Sequence, residues 1–336
     1  MQTTISASRY KDQPAVLLES DQLQALILPE RGANLASLIY KPANAPVIFQ
    51  RPGDVFRVQP FDGVYTEAEN AGMDDMFPTI DASFCTDHPW KGVPLADHGE
   101  VWSLPWQAEH DAQETHEADG LRLQVHGIRL PYTLEKRVHF PAANILRMDY
   151  RLTNHSPFPI TYLWAAHAMF NSEAGAEILL PPGPDSVTMT FSINSPLGKY
   201  GSQYAWPTAT LPDGSKRALN RLRGKEAGEV GKYYINGALP EGWCAAKFPG
   251  LGYAVGLSWP ADHVPYLAIL PNEGGWDDAT SLYFEPSTCT FDRPDVGQYR
   301  GEVSVLAGSA VHEWHLNLSV TDNLDFTKVT PEGMFR

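Results

Sequence analysis

Leu146, Met148, Tyr150 and Leu152 alternate without a break against Arg147, Asp149, Arg151 and Thr153. A two-residue period puts one set on each side of a pleated backbone, so 145–153 is predicted to be a strand with one buried face. Just upstream, Leu134, Lys136, Val138 and Phe140 share a face, and Pro141, Ala142, Ala143 and Asn144 between the two runs read as a hairpin connection. Further strands are predicted over 23–28, 121–125, 160–164, 253–259, 266–270 and 312–320, with turn-forming Pro, Gly, Asn and Asp between them. No apolar stripe of helical period runs beyond about three turns. The pattern therefore predicts an all-β protein, a large antiparallel β-sandwich with long loops. No linker, composition shift or repeat divides the chain, so 1–336 is read as a single domain with a loop-rich excursion at about 185–240, where turn residues crowd together.

Composition narrows the function. A chain of 336 residues, 43% of them hydrophobic, can bury one extensive core. The 40 acidic against 25 basic residues give a formal charge of −15, and no Lys/Arg cluster interrupts it, which argues against nucleic acid and anionic membrane surfaces as partners. Cys85, Cys244 and Cys289 are an odd set without metal-ligand spacing, read as reduced thiols of a cytoplasmic protein. The start, Met1 to Ala7, has neither a charged leader nor an apolar h-region, and no apolar run approaches the ~20 residues of a membrane span.

Three distant segments carry the candidate chemistry: 97–102 with His98, 164–170 with His167, and 283–288 with Glu285. Each sets one titratable side chain among aromatic and small residues, as in the floor of a ligand cleft. Two histidines and a glutamate suffice to move protons at two places on one substrate near neutral pH. Each also has a structural reading. His98 could face solvent from a turn capped by Asp97, and His167 could be a core histidine bonded to a carbonyl. Glu285, behind Leu282, Tyr283 and Phe284, needs either function or a salt bridge, for which Arg293 and Arg300 are the candidates. The run His312, Glu313, Trp314, His315 is not a zinc signature, because in a strand its two histidines point to opposite sides.

In order and dressing these segments resemble the aldose 1-epimerases, or galactose mutarotase-like proteins. The matching residues are His98-Gly99, His167 to Phe170, and Glu285-Pro286. Gly32 to Leu38 looks like that family's early glycine-led strand. Gly72 to Pro78 and Asn272 to Trp276 are similar to motifs of its less studied bacterial branch. The resemblance spans about 25–318, and it departs from the better-known members at Ala166, where they carry Asn before the histidine. It implies a mutarotase-like sandwich that interconverts the α and β anomers of a sugar by general acid–base ring opening, without cofactor or metal. Glu285 is then the expected base, His167 the acid, and His98 a ligand of the ring oxygen. Asp74, Asp75, Trp102, Asn272 and Trp276 are expected to bind substrate, and Trp106 and Trp164 are further stacking candidates.

The expected partner is a small-molecule sugar, with a homo-oligomer left open. A non-catalytic carbohydrate-binding sandwich is the alternative, and a metal-dependent β-barrel using His88, Asp97, His98 and Glu100 is a third reading. The segments assigned to the cleft contain no Arg or Lys, so a neutral sugar is expected over its 6-phosphate unless cations between Lys199 and Lys232 fold over the site.

Overall fold

The structure is a computed structural model that describes residues 3–109, 120–277 and 279–336. Met1 and Gln2, part of the segment read for a leader, lie outside the described residues. Among the described residues, no helix is long and apolar enough to cross a membrane.

The predicted alternation becomes an eight-stranded antiparallel sheet. Its order is Glu177–Leu179, Trp243–Phe248, Tyr253–Ser258, Val311–Thr321, Ile145–Asn154, Tyr132–Ala142, Leu121–His126 and Gln107–Glu109. Ile145–Asn154 lies at its centre, and its even-numbered Leu146, Met148, Tyr150 and Leu152 are all buried. Ala142 pairs with Ile145 across the tight turn expected between these two runs.

A second sheet of twelve strands faces it. Its path begins with the meander Thr4–Tyr10, Gln13–Glu19, Leu23–Leu28 and Asn34–Tyr40, the last also pairing with Ala45–Pro46. It continues through Met73–Met76, Ala165–Asn171, Thr280–Ser287, Tyr266–Glu273, Glu229–Ile235, Ser186–Ile193 and Gln203–Ala205. Leu38, Phe170, Phe284 and Ile269 of this sheet pack in one core with Leu134, Leu146, Leu152 and Leu316 of the other, which makes the architecture a sandwich.

Within the excursion at 185–240, Ser186–Ile193 and Glu229–Ile235 are ladder strands of the large sheet, and the connection between them, 194–228, adds the short edge strand Gln203–Ala205. Its turn residues hid these strands. Two arginines of the connection tie it down: Arg217 and Arg223 both bridge Glu229 and Glu273, carboxylates that face each other on adjacent strands. The predicted strand at 160–164 ends at Tyr162, which lies in a small two-stranded sheet with Ser304–Leu306, and Ala165 begins a separate strand of the twelve-stranded sheet.

Strand parity decides which side chains reach the outer face of the large sheet. In Ala165–Asn171, Ala166, Ala168 and Phe170 belong to the sandwich core, so His167 points outward. Leu282 and Phe284 turn inward, leaving Tyr283 and Glu285 outside, and Tyr233 and Ile235 inward leave Lys232 and Tyr234 outside. The outer face is covered by the loops around Tyr65, Ile80 to His98, and Thr288 to Asp292, which enclose a cavity.

Candidate active site

The cavity has a volume of about 490 Å³ and is lined by residues that include Tyr65, Asn70, Asp81, Asp97, His98, His167, Thr190, Phe191, Lys232, Trp276 and Asp292. It is concave, mixed in polarity, and built on the central strands of the large sheet, as small-molecule sites usually are.

His98 reaches it from a turn in which both His98 and Gly99 have left-handed backbones, φ 59° and 77°. A side chain at Gly99 would meet the Phe77 carbonyl oxygen at 2.1 Å, so only glycine allows this close approach. The turn aims the imidazole inward, where it stacks on Tyr65 with ring centroids 4.0 Å apart. Its Nδ1 lies 3.0 Å from Asp97 Oδ1, while Asp97 Oδ2 accepts the Tyr65 backbone N–H at 3.1 Å. The bonds to His98 and Tyr65 outweigh burial and hold the Asp97 carboxyl below its ordinary range.

His167 has a carboxylate beside one ring nitrogen and a phenol beside the other. Nε2 lies 3.7 Å from Glu285 Oε1, and Nδ1 lies 3.3 Å from the Tyr65 hydroxyl, which donates to Asp74 Oδ2 at 2.9 Å. Burial, with the charges of His98 and Lys232, lowers its pKa well below the usual imidazole value, so the ring is neutral at pH 7. Asp74 is held by Asn34 at 2.7 Å and pushed up to about 6 by burial.

Glu285 is completely buried, and its partner is neither Arg293 nor Arg300. Those arginines pair with Asp295 and Glu302, and it is Lys232 Nζ that contacts Glu285 Oε2 at 2.6 Å and Asp292 Oδ1 at 2.7 Å. Tyr234 also donates its hydroxyl to Asp292 at 2.7 Å. Burial raises the Glu285 pKa while Lys232 pulls it down, and the two carboxylates keep Lys232 protonated. Among the seven cations weighed as a lid, Lys232 alone lines the cavity, and it stands in the floor.

The other sequence candidates divide. Trp276 lines the cavity, whereas Asp74 and Trp102 lie behind Tyr65, Trp102 edge-on to its ring at 5.1 Å. Asn272 clamps its own loop by bonding the Trp276 backbone twice, at 3.0 and 3.1 Å, and does not line the cavity. Asp75 points the other way, into the sandwich, where Lys136 bonds it at 2.8 Å and the Trp164 indole N–H at 3.1 Å. Trp106 packs under that lysine. The residues of the metal reading diverge: Glu100 accepts the Ile128 backbone N–H and His88 packs on Phe158. Tyr65, Asp81, Thr190, Phe191 and Asp292 were not expected. Tyr65 sits in a loop without periodicity, and the only local signal at Asp292 is its place among turn-prone residues.

No family model and no curated protein matches the chain. Solved structures do. A protein of Synechocystis sp. PCC 6803 is 15% identical with a TM-score of 0.68, over 94% of this chain and 99% of that one. A galactose mutarotase-like protein of Clostridium acetobutylicum is 14% identical with a TM-score of 0.67, over 95% and 99%. A candidate aldose 1-epimerase of Escherichia coli K12 is 16% identical with a TM-score of 0.61, again over 95% and 99%. At these identities the likeness establishes the fold, a galactose mutarotase-like sandwich over nearly the whole chain.

Proposed function

We propose that this protein is an aldose 1-epimerase-like isomerase that interconverts the α and β anomers of a sugar by ring opening. The reading rests on one observation: two histidines, each backed by a carboxylate, face a single cavity lined with groups that can bond hydroxyls.

Anomer exchange needs a base for the anomeric hydroxyl proton and an acid for the ring oxygen, with the roles reversed when the ring closes on the other face. Because Glu285 is sealed from the cavity, it acts through His167, a change from the sequence expectation of direct contact with the sugar. His167, expected from the sequence as the acid, is neutral and serves instead as the base: it takes the anomeric proton on Nε2, and the Glu285 carboxylate beside it stabilises the imidazolium that forms. His98, oriented by Asp97, gives a proton to the ring oxygen. Tyr65 holds both rings, one by stacking and one by its hydroxyl, and so fixes the spacing of acid and base.

The test is a panel of anomerically enriched sugars followed by polarimetry or NMR exchange, without added metal or nucleotide. Some reducing sugar should exchange faster than its buffer control. Glu285→Gln should slow that rate by a factor on the order of 10² to 10⁴ while changing sugar affinity little. If sugars bind but none exchanges, the protein is a carbohydrate-binding sandwich instead.

A further inference from the structure

The cavity is larger than one pyranose requires. At the packing density of an organic crystal a hexose occupies about 200 Å³, against the cavity's volume of about 490 Å³.

The extra space has a built wall. Ser186–Ile193 pairs with Glu229–Ile235 in regular register up to Met189 opposite Tyr233, then resumes with Phe191 opposite Lys232, so Thr190 is an inserted residue. In an uninterrupted strand Thr190 and Phe191 would point to opposite faces of the sheet. The bulge removes that constraint, and both line the cavity. Phe191 keeps 38% of its surface exposed there, and its ring leans on Trp276 at 5.3 Å and 35°, forming an open aromatic platform. An exposed aromatic face suits the apolar C–H face of a sugar ring.

We infer that this wall is a second sugar subsite and that the substrate is a reducing disaccharide or longer oligosaccharide. Its reducing unit sits at His98 and His167, and the next ring lies on Phe191 and Trp276. The inference rests on the sugar reading above.

Calorimetric titration with glucose, galactose, maltose, cellobiose and lactose tests it, run alongside the anomer-exchange assay. At least one disaccharide should bind on the order of tenfold tighter than its reducing-end monosaccharide. Phe191→Ala should weaken that disaccharide on the order of tenfold more than the monosaccharide, and Phe191→Trp should restore the difference. Equal binding of mono- and disaccharides, or equal losses for both in Phe191→Ala, overturns the subsite even if exchange is catalysed. Selective disaccharide binding without exchange keeps the subsite and removes the isomerase reading. No binding of any sugar overturns both.

Discussion

Replacing Lys232 with Met tests the electrostatic core of the site. Among the described residues the Lys232 ammonium is the one Lys or Arg cation paired with Glu285, at 2.6 Å, and it also bridges Asp292 at 2.7 Å, with side-chain exposures of 6%, 0% and 7% for the three groups. Methionine keeps most of the stem volume and leaves two carboxylates uncompensated. Breaking a buried pair in this way costs about 3–5 kcal/mol. Spread over the unfolding entropy of a 336-residue chain, that is a fall in Tm of roughly 4–7 °C. The loss should depend on pH with a definite sign. Burial already raises the Glu285 pKa, and removing Lys232 raises it further. A carboxyl with a raised folded-state pKa contributes stability that is complete below its unfolded value and disappears as pH rises through the folded value. The gap between wild type and Lys232→Met should therefore be small near pH 4 and widen toward pH 8. Thermal unfolding at both pH values decides it. A gap that is equal at the two, or absent at pH 8, would refute the argument that Lys232 neutralises buried charge.

Asp74, pushed up to about 6, works in the same direction. Wild-type stability should fall by up to about 3 kcal/mol as pH rises from about 4 to 6, and urea denaturation of Asp74→Asn should show that slope flattened. Gly99→Ala should cost on the order of 2–4 kcal/mol and depress turnover, because its Cβ would collide with the Phe77 carbonyl and displace His98. A neutral hexose should show a specificity constant at least about tenfold above that of its 6-phosphate, since Asp81, Asp97 and Asp292 line a cavity whose Lys232 is already paired. A preference for the phosphate would show that Lys232 or a cation of the 194–228 connection serves the ligand instead.

Fold class was legible because it depends on local periodicity. The alternation through Ile145–Asn154 and the turn after Ala142 needed only the chain's own pattern of polar and apolar positions. His98 and His167 stood out as titratable side chains in short recognisable settings and Trp276 through the resemblance of its loop, and all three line one cavity. What failed was direction. Met73, Asp74, Asp75 and Met76 are all buried, so no solvent-facing alternation marks which aspartate points to the site, and adjacent residues of a strand necessarily face opposite ways. Asp74 supports Tyr65, while Asp75 crosses the sandwich to Lys136 on the other sheet. Partnership failed for a related reason. Arg293 and Arg300 are close to Glu285 in sequence, but their own neighbours Asp295 and Glu302 take them, and the cation that meets Glu285 comes from a strand two places away in the sheet. Lys232 was visible only as one of several cations in a segment without a readable pattern. The period of a strand is written in its own residues, whereas the partner of a buried charge is chosen by sheet order, which joins segments more than fifty residues apart.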